Sequence, residues 1–184
     1  MKLFVPILVI ISWFAISIAA QLDVRKIDFK NFSYNLSCGD ADVVSRVSLK
    51  NGQYIGLKNG ERVYLKVYEV LYGDLNRDGK NEAVVLYSCG SGASYVYFRG
   101  LVFSIRNNRP QYLTSLEGGN KGDGGFYKVR IRKQLILTER YQLANAGSPC
   151  CPESIETTKY RLIGARLKTV GSPSSRPIPN MTTK

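Results

Sequence analysis

Beyond residue 20, apolar and polar residues alternate with a period of two over most of the chain, and helical spacing is never sustained past a turn or two. The alternation predicts strands over 27–34, 43–49, 53–57, 63–72, 95–105, 111–116, 127–132, 135–141, 157–163 and 166–170. One run, Ala83-Val84-Val85-Leu86-Tyr87, is apolar at every position, as expected of a central strand. Asn51-Gly52 and Asn59-Gly60 stand between such runs. Asn-Gly there signals a tight hairpin, because a type I′ turn needs positive φ at both central positions. Gly164-Ala165 marks a last hairpin. These elements predict an all-β fold: an antiparallel meander of about ten strands closing as a sandwich or partial barrel. No internal repeat argues for a propeller.

The pattern breaks at both ends. Lys2 is followed by an almost wholly apolar run over 3–18 and by Ser17-Ile18-Ala19-Ala20, small residues suited to cleavage. The run is about 16 residues, short of the ~20 of a membrane-spanning helix. Residues 1–20 are therefore expected to be a removable signal peptide, 21–170 a single exported domain, periplasmic or extracellular, and 171–184, rich in Pro, Ser and Thr, a disordered tail.

Export bears on the four cysteines, Cys38, Cys89, Cys150 and Cys151. In an oxidising compartment an even count suggests two disulfides. Adjacent cysteines bond each other only through a strained ring, so Cys150 and Cys151 are expected to reach Cys38 and Cys89, in either order. A tetrathiolate zinc site competes, but it wants Cys-x-x-Cys knuckles that the chain does not have. The sequons at Asn31, Asn35 and Asn180 matter only in a eukaryotic secretory pathway.

The densest chemistry lies between two strands, in Asp74-Leu75-Asn76-Arg77-Asp78-Gly79-Lys80-Asn81-Glu82. Oxygen-bearing side chains recur at positions 1, 3, 5 and 9, with a glycine at position 6. Hard cations such as Ca²⁺ take six to eight oxygens, and a loop curling round one needs short acidic or amide side chains at alternate positions. Asp74, Asn76 and Asp78 are expected to point inward, Lys80 to offer its carbonyl, and Glu82 to close the shell. Position 12, where an EF-hand carries a bidentate Glu, is Val85. Asp, Asn and Gly are also favoured turn residues, so an ordinary polar turn is the competing reading.

The nonapeptide resembles the Asp-x-Asp-x-Asp-Gly-x-x-Asp calcium loops of FG-GAP-type β-repeats, with Asn76 and Glu82 as variants. Over 68–170 the chain also resembles a family of uncharacterised exported bacterial proteins, some of them lipoproteins. The resemblance rests on Gly73-Asp74-Leu75 with Asp78-Gly79, on Gly118-Gly119 with Asp123-Gly124-Gly125, and on Cys150-Cys151-Pro152. It implies an exported domain and brings no catalytic residues. The cleavage-site cysteine of the lipoprotein members is missing here, so an anchor is not implied.

Charge narrows the function. The chain contains no histidine, which excludes Ser-His-Asp and Cys-His catalysis and imidazole metal sites. Only 14 acidic residues face 26 basic ones, for a formal +12. No enzyme activity is expected. Lys128, Arg130 and Arg132 share one face of a strand, and Thr157 to Lys184 carries six bases and no acid. Such a surface suits an anionic envelope partner, whether acidic glycan, lipopolysaccharide or lipid headgroup, and nucleic acid is disfavoured because no motif for it appears. Dispersed bases that merely keep the domain soluble are the plain alternative. The segment 117–125, five glycines in nine residues, is expected to be a loop, in which Asp123 could lend a carboxylate to the ion or to a ligand. The expectation is a calcium-binding module. A calcium-braced protein-interaction domain, or a carboxylate hydrolase, is the alternative.

Overall fold

The computed structural model describes residues 22–36, 45–58, 61–91, 95–120, 124–143 and 152–178. The expected signal peptide, Cys38, Cys150, Cys151 and Asp123 lie outside them, as do the sequon at Asn180 and the pair Asn59-Gly60.

The chain is all-β, with three antiparallel sheets that do not close into a barrel. β1 (Ser33–Leu36) and β2 (Ser45–Ser48) form a two-stranded ladder. The first large sheet is a meander of β3 (Gln53–Lys58), β4 (Glu61–Gly73), β5 (Glu82–Ser91), β6 (Tyr95–Arg106) and β7 (Arg109–Asn120). The second runs in the order β11-β10-β9-β8, from β8 (Phe126–Arg132), β9 (Leu135–Leu143), β10 (Pro152–Ile163) and β11 (Arg166–Thr169). β12 (Ser174–Pro177) pairs with the other half of β10.

The continuous apolar run takes the centre because it is buried on both sides. Ala83, Val85, Tyr87 and Cys89 of β5 face a core shared with the N-terminal segment, including Val24, Phe29, Tyr34 and Val47. Val84 and Leu86 face the opposite way, against Val129, Ile136 and Leu162 of the second sheet. The domain therefore has three layers: the N-terminal ladder, the first sheet and the second sheet. A strand with core on both faces has no use for alternation.

Turn chemistry behaves as the sequence predicts at Asn51 (φ 54) and Gly52 (φ 78), where both central residues have positive φ. β6 and β7 are joined the same way through Asn107 and Asn108, with Pro110 at the sheet edge, where no ladder N–H is needed.

Three expectations are corrected. The strand expected over 27–34 begins only at Ser33, after 3₁₀ turns over Val24–Lys26 and Phe29–Asn31. Asp23 and Asp28 cap these turns, accepting from backbone N–H groups two and three residues on, and that local pairing outcompetes a ladder. The tail is not wholly disordered: Ser174–Pro177 adds a strand. The glycine-rich segment is not all loop either, since β7 runs on to Asn120. Phe98 pairs with Gly119 and Arg99 with Glu117, so Gly118 is the extra residue of a bulge. A Cβ there would lie 2.6 Å from the Phe98 carbonyl oxygen and 2.5 Å from the Phe126 ring. Close packing explains that glycine without a ligand.

Candidate cation-binding loop

β4 delivers the chain to the loop and β5 takes it away, with Gly73 and Glu82 paired across the neck. Leu75 anchors the loop from within: it is 1% exposed and joins the core between the two large sheets. That one apolar side chain fixes which way its polar neighbours face. Asn76, Asp78 and Lys80 are exposed, whereas Glu82 is wholly buried.

The acidic side chains fold the backbone round themselves. Asp74 Oδ1 accepts from the Arg77 N–H at 2.6 Å and Oδ2 from the Gly79 N–H at 3.2 Å. Asn76 Oδ1 accepts from the Asp78 N–H at 2.9 Å, and Asp78 Oδ1 from the Lys80 N–H at 2.8 Å. These successive side-chain turns curl the loop, helped by positive φ at Arg77 and Gly79. A Cβ on Gly79 would meet nothing within 4 Å, so conformation rather than space selects glycine there.

Glu82 closes the loop from below. Its Oε2 accepts from the Leu75 N–H at 2.8 Å and its Oε1 from the Asn76 amide at 3.0 Å; the same amide donates to Asp78 Oδ2 at 3.1 Å. Burial pushes the Glu82 carboxyl up from its ordinary range, and the charges of Asp78 and Asp74 push the same way. The Leu75 N–H and the Ser104 hydroxyl oppose them. The Asn76 nitrogen, the positive end of an amide dipole, thus stands between two carboxylates.

The structure brings together the side chains of four of the five expected ligands; for Lys80 it places the backbone, with its N–H turned to Asp78. Among the described residues no three of Asp, Glu, Cys and His form a ready metal cluster. Coordination would therefore require the Asn76 amide to turn, presenting Oδ1 where Nδ2 now stands. The donor chemistry, hard oxygens only, fits Ca²⁺ and not a soft metal.

Beside the loop lies a cleft of about 210 Å³, lined by Leu22 to Arg25, Gly79 to Asn81, Ser104 and Ile105. Ser104, which links the cleft to Glu82 from β6, carries no signal in the sequence. Leu75 could have been noticed as the only apolar side chain in the nonapeptide.

Lys128, Arg130 and Arg132 are exposed along β8, while Val129 is buried and Ile131 half-buried, so the alternation is observed from Lys128 on; Tyr127, at a bulge, is exposed as well and breaks it. Arg130, however, is committed to an ion pair with the buried Glu139. Cys89 is buried at the centre of the first sheet. No protein-family model matches the chain, and no curated protein or solved structure is significantly similar to it.

Proposed function

We propose that the chain is an exported, calcium-binding β-domain that acts as a binding module toward anionic cell-envelope components, not as an enzyme. The observation that carries the calcium reading is Glu82. Its carboxylate is wholly buried, two further carboxylates stand beside it, and none of the three forms an ion pair among the described residues. Buried carboxylates are ordinarily paired with a base or a metal. Asp74, Asn76, Asp78, the Lys80 carbonyl and Glu82 would hold the ion, which would supply charge neutralisation and brace the β4–β5 connection. The same proposal takes Cys89 as one half of a disulfide whose other sulfur lies outside the described residues.

Thermal unfolding of the expressed chain, in excess calcium and in chelator, tests this. Extracellular-type sites bind with Kd of ~10⁻⁴–10⁻³ M. Calcium at about ten times Kd then adds roughly 1.4 kcal/mol. That raises Tm by about 3–6 °C for a domain of this size. The shift should vanish in Asp78→Ala. No shift at millimolar calcium reduces 74–82 to a polar turn.

A further inference from the structure

We propose that the outward face of the second sheet is an electrostatic docking surface for an anionic lipid bilayer. This rests on the binding-module reading above, and not on an ion in the 74–82 loop.

Register decides which side chains share that face. Val129, Ile136 and Leu162 point into the core, so their neighbours point out. Lys128 and Arg132 do so from β8. Lys159 pairs across β9 with Leu137, which pairs in turn with Arg130, placing Lys159 and Arg161 on the same face. Arg161 pairs with Lys168, and Ile163 with Arg166, which extends the face onto β11. None of these six bases forms an ion pair among the described residues. Arg130 and Arg176 also face outward and share Glu139, among the described residues the one acid at a paired outward position of this sheet; the exposed Glu153 is the unpaired residue of the bulge that opens β10. Eight bases and one acid leave a formal +7 on one face.

The spread of the charge selects the partner. Neighbouring strands lie about 4.8 Å apart, and alternate residues on a strand about 6.8 Å apart. The bases therefore occupy a two-dimensional array roughly 14 Å across and 14 Å long. A linear polyanion would lie against one row of it, whereas a layer of phosphate headgroups meets every row. The array has apolar residues between and beside its charges. Leu135 and Leu137 are half-buried between the basic rows, and Ile163 is 50% exposed at one margin. Bases interspersed with short apolar contacts match the headgroup zone of a membrane, where each Lys or Arg adds comparably to attraction.

Co-sedimentation of the expressed chain with vesicles of phosphatidylglycerol, and with vesicles of phosphatidylcholine alone, tests the proposal. Binding to the first and not the second, lost as salt shortens the screening length, is expected. Lys128→Glu, Lys159→Glu and Lys168→Glu together should weaken it on the order of a hundredfold. Lys26→Glu, Lys30→Glu and Lys50→Glu change the net charge equally on the N-terminal side, and should leave it within about threefold. Equal loss in both triple variants would overturn the face in favour of bulk charge. Retention on dextran sulfate with no vesicle binding would overturn the bilayer in favour of a soluble polyanion. Acetylation of the unmutated protein gives a reading that does not depend on the variants folding. Vesicles should shield Lys159 and Lys168 but not Lys26, and uniform labelling would sink the proposal. Every arm is run in chelator and in excess calcium. Vesicle binding without a calcium-dependent melt leaves this inference standing while the calcium reading falls; a calcium-dependent melt without vesicle binding does the reverse.

Discussion

Arg176, on the last strand, donates to Glu139 of β9 at 3.1 Å, reaching across the intervening β10. Its guanidinium carbon also lies 5.6 Å from the centre of the Tyr127 ring on β8. One side chain from a segment that composition alone marks as disordered thus touches two strands beyond the one it pairs with. Glu139 is nearly buried, with side-chain exposure of 7%, and Arg130 is its second base.

Removing Arg176 leaves that carboxylate with one partner in place of two. A hydrogen bond to a charged group contributes ~1.5–3 kcal/mol, so Arg176→Ala is expected to lower unfolding free energy by about that amount in urea titration. Arg176→Lys should recover part of the loss. A change within about 0.5 kcal/mol would mean that the pair behaves as an exposed one and that β12 adds little.

Alkaline stability should follow the buried phenols. Tyr34 donates to the Phe29 carbonyl at 2.5 Å, and burial pushes its phenol well up. Burial likewise pushes Tyr87 up to about 12, although Arg99 pulls it back. In the unfolded chain a phenol releases its proton near pH 10. Above that pH the folded state binds more protons than the unfolded one, so stability falls as pH rises from about 10 toward 12. Tyr34→Phe should cost about 1 kcal/mol at neutral pH through the lost hydrogen bond, yet flatten the alkaline decline. Parallel declines in variant and parent would show that Tyr34 titrates normally.

The strands were legible where alternation met a hairpin signal, as at β3, β4, β10 and β11, from alternation alone at β6, β8 and β9, and from an unbroken apolar run at β5. What alternation cannot show is competition from a side chain. Asp23 and Asp28 redirect the backbone into 3₁₀ turns, and Asp reads the same whether it caps, turns or ligates. β12 was hidden for a related reason. Ser174–Pro177 holds no apolar residue but proline, and its place is set by Arg176 meeting a buried acid far away in sequence. At the loop, spacing brought out Asp74, Asn76, Asp78 and Glu82. It could not bring out the amide of Asn76 bridging two carboxylates, which depends on how the loop curls, or Ser104, which depends on how β6 packs beside it.

The turn between β8 and β9 is the least well matched to its residues. Lys133 (φ 48) and Gln134 (φ 61) both take the left-handed conformation, where the two-residue turns at 51–52 and 107–108 use Asn or Gly. A non-glycine residue held there costs on the order of 1 kcal/mol or more. Glycine relieves that but loses more chain entropy on folding. Gln134→Gly is therefore expected to stabilise the fold by about 0.5–1 kcal/mol, raising Tm by a few degrees. A decrease would show that the Gln134 side chain holds the turn in some other way.

Gly73, the last residue before the loop, lies against Ile131 of β8: a Cβ on it would sit 2.6 Å from the Ile131 Cγ2. Ile131 is β-branched and stiff, so it cannot swing aside, and the first sheet would have to lift from the second at the loop's neck. Gly73→Ala is expected to cost about 1–3 kcal/mol by overpacking. Ile131→Ala alone should also destabilise, by opening a void. Together they should cost clearly less than their sum, since the small residue at 131 makes room for the methyl at 73; that coupling is the measurement. Because Leu75, two residues on, seats the loop in the same core, the lifted neck should also reduce the calcium-dependent rise in Tm. If the two substitutions simply add, Ile131 relaxes away from the methyl, and the neck of the loop is not clamped between the sheets.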